Sequence, residues 1–169
     1  MKIVLTGASG FIGSQVVPLL LGAGHEVHVL GRSAAAGCTL HPIDLIVDDP
    51  AQLLASIAPG ALLHLAWYAK PGAFWHAPEN LDWVAASLRL VRGFAAAGGR
   101  RVVAAGTCAE YDWNFETLDE LTTPRRPHTL YGTAKSALFD ILAAAAPVLD
   151  LSFAWGRIFF PYGPFEQPG

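Results

Sequence analysis

Charge is scarce in this chain: Asp, Glu, Lys and Arg make up only 15% of 169 residues, against 53% hydrophobic ones. That balance excludes a disordered chain and allows one domain with a sizeable core. The formal net charge of −3 provides no basic field, so nucleic acid is not an expected partner. Cysteine is nearly absent. Cys38 and Cys108 have no CxxC spacing, which excludes a disulfide framework and suits a reducing cytosol. The six histidines show no HExxH or other metal-ligand spacing, so no metal is expected. No apolar run reaches the length of a membrane span, and Met1 leads into a strand rather than a basic n-region and apolar h-region. The expectation is a cytoplasmic protein with no membrane partner.

Glycine, by contrast, is placed with purpose. Ile3-Val4-Leu5 is a short apolar run, and Thr6-Gly7-Ala8-Ser9-Gly10-Phe11-Ile12-Gly13 then turns into an apolar helical pattern. Glycines at 7, 10 and 13 suit a tight turn, a close backbone approach to a pyrophosphate and close helix–strand packing. The helix start behind them offers unpaired N–H groups to an anion. The spacing is GxxGxxG rather than GxGxxG. Its strand-before, helix-after context reads as a dinucleotide site.

The rest alternates strand and helix. A helix over 11–22 contains Pro18, which should bend it, and His25–Leu30 is a second strand. Thr39–Ile43, Ala61–Leu65, Arg101–Ala105 and Leu151–Trp155 complete six strands. Helices are expected at 50–58, from Asn80 to Ala97, and from Leu130 to Ala146 with Pro147 as its stop. An aromatic loop runs from Trp67 to Pro78, a polar loop spans 108–128, and the tail Gly156–Gly169 shows no clear element. Such alternation predicts an α/β doubly wound parallel sheet.

Two further stretches carry chemistry. Tyr131 and Lys135 stand four residues apart on a helix and so share a face. A nearby ammonium favours phenolate and should lower the tyrosine pKa from about 10, tuning it to exchange a proton with a sugar-type hydroxyl. Thr107 falls at the carboxyl end of the fifth strand, where open α/β sheets bind ligands. Its hydroxyl can donate to a carbonyl or alkoxide oxygen, or simply cap a turn.

Together, TGASGFIG, Thr107 and Tyr131/Lys135 resemble the extended short-chain dehydrogenase/reductase family, in particular its nucleotide-sugar epimerases, dehydratases and ketoreductases. The resemblance covers essentially the whole chain and implies a Rossmann-type dinucleotide-binding fold. It implies that Tyr131 is the acid/base, that Lys135 holds the nicotinamide ribose and tunes the tyrosine, and that Thr107 orients the substrate oxygen. It places Gly7, Ser9, Gly10, Phe11, Ile12 and Gly13 at the cofactor pyrophosphate. Asp44-Leu45 resembles the family's adenine contact, though Asp44 can equally cap a helix or stand at the surface. Leu65 and Ala66 match the small-residue stretch beside the cofactor, with Trp67 in place of a second alanine. The second strand ends in Leu30-Gly31-Arg32-Ser33, without the acid that accepts a ribose 2′-hydroxyl. A guanidinium and a hydroxyl suit a 2′-phosphate, so NADP is expected over NAD, unless Arg32 is an ordinary loop charge.

Departures narrow the reading. Cys108-Ala109 replaces the Asp-Glu of the dehydratases, which favours epimerisation or keto-sugar reduction. Phe160 replaces the asparagine that usually meets the sugar diphosphate, leaving a nucleotide sugar as the expected substrate class but no particular sugar. Glu110, Tyr111, Asp112 and Trp113 are either substrate contacts or polar loop filler. Arg125, Arg126 and His128 either attract a diphosphate or are solvated charges. The aromatics of Trp67–Trp75 and the tail either fill the core edge or await another subunit. Residues 1–169 read as a single NAD(P)-binding domain, without the smaller C-terminal substrate domain into which relatives continue past Gly163-Pro164. The chain is thus expected to be either a fragment of a longer enzyme or a truncation that binds nucleotide without turnover. The resemblance also implies a homodimer through helices 80–97 and 130–146.

Overall fold

A computed structural model of the chain describes residues 1–33 and 35–163. Six strands, β1 (Lys2–Thr6), β2 (Glu26–Gly31), β3 (Thr39–Pro42), β4 (Ala61–His64), β5 (Arg101–Thr107) and β6 (Ser152–Ile158), form one sheet in the order β3-β2-β1-β4-β5-β6. Every described pairing is parallel. The helices are α1 (Phe11–Gly22), α2 (Ala51–Ile57), α3 (Glu79–Ala96) and α4 (Leu130–Val148), with one 3₁₀ turn at Cys108–Glu110. This is the expected doubly wound, Rossmann-type sheet.

Strand alternation sorts the core into two layers. Val4, Leu30, Leu62 and Val102 point to the side covered by α2, α3 and α4, where Leu54, Leu90, Phe94 and Leu138 meet them. Leu5, Val27 and Val29 point the other way, against Val17 of α1. Among the described residues one helix covers that second side, and Leu63 and Val103 stay only half-buried there. The winding reverses between β1 and β4, whose connections lead to opposite sides, and it is there that such sheets leave a crevice beyond their carboxyl ends.

Pro18 sits inside α1 as expected, on an exposed face where water can take the carbonyl that the proline cannot serve. Two local expectations are corrected. Pro147 does not stop α4, which reaches Val148 because the following amides still find carbonyls: Leu149 N donates to Ala145 O and Leu151 N to Ala146 O. The sixth strand runs on to Ile158 because β5 continues to Thr107 beside it, pairing Gly106 with Arg157 and Thr107 with Ile158. Of the expected tail, residues 164–169 lie outside the described residues, Pro164 among them.

Candidate active site

The opening glycines do what their spacing predicts. Gly7 has φ +76°, and a Cβ there would lie 2.8 Å from Ala66 N, so only glycine lets the turn press against the end of β4. A Cβ on Gly13 would lie 2.1 Å from Gly7 O, so the helix sits directly on the turn. Gly10 N closes that turn on Gly7 O at 3.1 Å. The first turn of α1 has no side-chain cap and no acidic residue, leaving its N–H groups and dipole for an anion.

In front of this turn lies a cleft of about 620 Å³. Gly7, Ser9, Gly10, Arg32, Asp44, Leu45, Leu65 and Ala66 all line it. Phe11, Ile12 and Gly13 sit behind it in α1 and are not part of the lining. The cradle that a Cβ would fill, the uncapped helix start and a lining that runs from the glycine turn to Arg32 and Asp44 fit a dinucleotide. Sequence reasoning missed much of the far wall, where Glu79, Asp82 and Trp83 of α3 line the cleft. It also missed Arg89, whose Nη2 donates to Leu45 O at 3.0 Å and Ile46 O at 2.7 Å, fixing the loop that carries Asp44. Asp44 itself is exposed and accepts from Ile46 N at 3.0 Å, so it is a surface aspartate that also lines the cleft.

Beyond the cleft, at the end of β5, Thr107 stands beside Tyr131, its hydroxyl near enough to the phenol to act on its pKa. Thr107 also caps the 3₁₀ turn: its Oγ1 accepts from Ala109 N at 3.2 Å. Its amide donates to Glu110 Oε1 at 2.9 Å. Thr129 caps α4, its hydroxyl accepting from Gly132 N at 3.1 Å, and so sets where Tyr131 begins the helix. The Tyr131 ring packs edge-on against Phe74, Trp75 and Trp67.

Lys135 does not join this pair. Its ammonium, 4% exposed, donates to Ala105 O at 2.8 Å and lies 3.8 Å from the Trp67 ring centre. Burial lowers its pKa to about 7, partly opposed by the Glu110 carboxylate. The expected lowering of the tyrosine is therefore reversed: burial raises the Tyr131 phenol, the Thr107 hydroxyl opposes this, and Cys108 and Glu110 add to the rise. Helical spacing put the two residues on one face, but it did not say where a long flexible ammonium would end.

In the loop after Thr107, expected either to touch substrate or to be polar filler, the polar groups are largely engaged within the protein. Glu110 is fully buried and occupied by Thr107 N, Trp155 Nε1 at 2.9 Å and Arg157 Nε at 2.8 Å. Tyr111 and Asp112 are buried as well, and Trp113 is 48% exposed, edge-on to Phe160. Arg125 is taken up by Asp140 at 2.6 Å and Ser136 at 3.1 Å, while the exposed Arg126 and His128 stand near Asp112. Beneath the site, a buried relay ties three elements. Ser87 Oγ donates to Trp83 O, so it accepts from His64 Nε2, and His64 Nδ1 accepts from Thr6 Oγ1, which takes the Ala66 amide. Burial and the Lys135 charge lower His64 to about 3, so it is neutral.

The model of the NAD dependent epimerase/dehydratase family matches residues 3–169. The chain belongs to that family. Among curated members, it is 31% identical over 174 residues to dTDP-6-deoxy-L-talose 4-dehydrogenase (NAD(+)) of Aggregatibacter actinomycetemcomitans, covering 96% of this chain and 62% of that one. It is 28% identical over 176 residues to UDP-glucose 4-epimerase of Streptomyces lividans, covering 95% and 51%. A crystal structure of UDP-galactose 4-epimerase superposes with a TM-score of 0.82 at 29% identity, over 93% of this chain and 55% of that one. This epimerase/dehydratase chain thus spans 51% to 62% of the length of these relatives.

Proposed function

We propose that the chain binds NAD(P) in the glycine-turn cleft and acts as an oxidoreductase or epimerase on a nucleotide sugar, with Tyr131 as acid/base. The pairing of Thr107 with Tyr131 beside that cleft carries this reading. The nicotinamide supplies or accepts the hydride when bound. The phenol, kept protonated by burial, gives its proton to the substrate oxygen in the reducing direction. Thr107, whose Oγ1 takes the Ala109 amide as acceptor, turns its O–H from the phenol to the same oxygen. The rings of Trp67, Phe74 and Trp75 keep water from the phenol.

Arg32 and Ser33 at the mouth of the cleft, with no carboxylate at the end of β2, favour NADP. The family description and the first relative's name specify NAD, which is the alternative to measure against. A cytoplasmic homodimer through α3 and α4, each protomer a single nucleotide-binding unit over 1–169, belongs to the same reading. A second reading is a dinucleotide-binding module or partner subunit without turnover. It is favoured by Lys135, which is engaged with Ala105 and Trp67 instead of the phenol.

The deciding assay follows NADPH and NADH consumption with dTDP- and UDP-linked 4-keto-6-deoxyhexoses, and interconversion of UDP-glucose and UDP-galactose. The chain and its Tyr131→Phe variant are compared. Turnover that depends on Tyr131 supports the enzyme. Absent or equal turnover with cofactor still bound supports the binding module.

A further inference from the structure

The Glu110 carboxylate has no exposed surface, and its described hydrogen-bond donors come from β5 and β6. Oε1 accepts from Thr107 N and from Trp155 Nε1, both at 2.9 Å, and Oε2 accepts from Arg157 Nε at 2.8 Å. Gly106 makes room for this meeting. A Cβ there would lie 2.1 Å from Trp155 Nε1 and 2.7 Å from Glu110 Oε1, so only glycine lets the indole and the carboxylate join across the strand.

Thr107 is thereby held through both of its polar groups. Its amide sits on the carboxylate, and its Oγ1 accepts from Ala109 N at 3.2 Å, which leaves the hydroxyl a single O–H to direct. The same 3₁₀ turn seats the helix of the tyrosine: a Cβ on Gly132 would lie 2.3 Å from Ala109 O, so the first turn of α4 rests on the backbone of that turn. On its other side the phenol meets Phe74, Trp75 and Trp67, the last of which also lines the nucleotide cleft. A slip of about 1 Å in the turn would change where Thr107 stands against Tyr131, and positioned groups lose function on that scale. A buried ion pair stabilises a fold little more than an apolar pair of the same volume. What this carboxylate adds is a fixed acceptor for Thr107 N, anchored from the neighbouring strand.

We propose that Glu110 is a positioning residue for Thr107: held from β6 by Trp155 and Arg157, its carboxylate fixes the 3₁₀ turn so that the Thr107 hydroxyl faces the Tyr131 phenol. Arg157 balances the buried charge and is itself packed away, its guanidinium 5.3 Å from the Tyr111 ring centre and 4.7 Å from that of Phe139. The proposal rests on Thr107 and Tyr131 being the reacting pair, but its first test requires neither substrate nor cofactor.

Two double variants separate the acceptor from the charge, because both remove the ion pair. The first, Glu110→Gln with Arg157→Met, keeps an amide oxygen for Thr107 N and the Trp155 indole. The second, Glu110→Met with Arg157→Met, keeps apolar volume alone. The readout is the Cζ resonance of isotope-labelled Tyr131 at neutral pH, identified by its loss in Tyr131→Phe and sensitive to hydrogen bonding of the phenol. Thr107→Val marks the position of a phenol without the hydroxyl. The second variant should shift from the first towards that position, and adding Thr107→Val to both should abolish the difference between them. Equal resonances in the two double variants, or a difference that survives Thr107→Val, overturns the proposal. A further measurement stands whatever the variants' folding. In the wild-type chain the Thr107 amide proton should resonate well downfield and exchange slowly, as a charge-assisted hydrogen bond requires; an ordinary shift with fast exchange overturns the carboxylate's hold. In the turnover assay the second variant should have a kcat about tenfold or more below the first with KM little changed, and equal kcat values overturn the positioning role. Turnover absent from every protein, wild type included, would instead defeat the enzyme reading and leave the Cζ comparison to decide.

Discussion

Replacing Gly13 and Gly22 by alanine puts the same methyl into the same helix and should move stability in opposite directions. Both changes gain helix propensity, worth about 1 kcal/mol in a helix interior. At Gly22, exposed and with nothing within 4 Å of the new Cβ, that gain is all there is, about 0.5–1 kcal/mol. At Gly13 the Cβ would lie 2.1 Å from Gly7 O and 2.8 Å from Ala8 Cα, over an ångström inside ordinary contact. Those neighbours are backbone, so the helix itself must withdraw from the turn. Overpacking of this kind costs about 1–3 kcal/mol, and contact with backbone places it at the upper end. Net of propensity, Gly13→Ala should lose roughly 2 kcal/mol. For a chain of this size each kcal/mol moves Tm by about 2–4 °C, so the variants should melt roughly 6–12 °C apart. Calorimetry checks the order, and titration with NAD(H) and NADP(H) should show binding weakened only in Gly13→Ala. Gly13→Ala melting at or above wild type would refute the close packing of α1 on the glycine turn.

Arg32→Glu should weaken NADP binding and leave NAD binding equal or tighter, read by calorimetric titration; unchanged NADP affinity would remove the argument for a 2′-phosphate contact. Glu110→Gln leaves Arg157, paired at 2.8 Å, without its counter-charge in a largely buried setting, and should cost about 3–5 kcal/mol in urea unfolding. Adding Arg157→Met should recover most of that loss, and failure to recover would mean that Trp155 and Thr107 carry the effect instead. His64 has a folded pKa of about 3 against an ordinary 6.5. The unfolded state therefore binds the proton first. Its contribution is complete above pH 6.5 and is lost as pH falls towards 3, by up to about 1.4 kcal/mol per pH unit. His64→Gln should flatten the pH dependence of urea midpoints in that window, and an unaltered slope would refute a buried neutral histidine.

The apolar run Ile3-Val4-Leu5 as a strand and the glycine spacing at 7, 10 and 13 were legible in the sequence because each is a local rule. A strand shows its two faces in successive residues, and a tight turn demands glycine wherever a Cβ has no room. The same holds for Thr107, whose position at a strand end follows from counting elements. Pro147 misled as a stop, since a helix tolerates one missing hydrogen bond where the following amides still find carbonyls. Glu110 read as loop polarity, yet three partners from β5 and β6 bury it, and two of them lie 45 and 47 residues further along the chain.

By itself, then, the sequence determined the parallel sheet, its winding and the nucleotide-facing turn, all consequences of short-range sterics and hydrophobic period. Only the tertiary structure decided where the Lys135 ammonium goes and that Trp67 stands between cleft and phenol. A lysine's end has four torsions to settle, and carbonyls, ring faces and burial from four separate strands and helices choose among them.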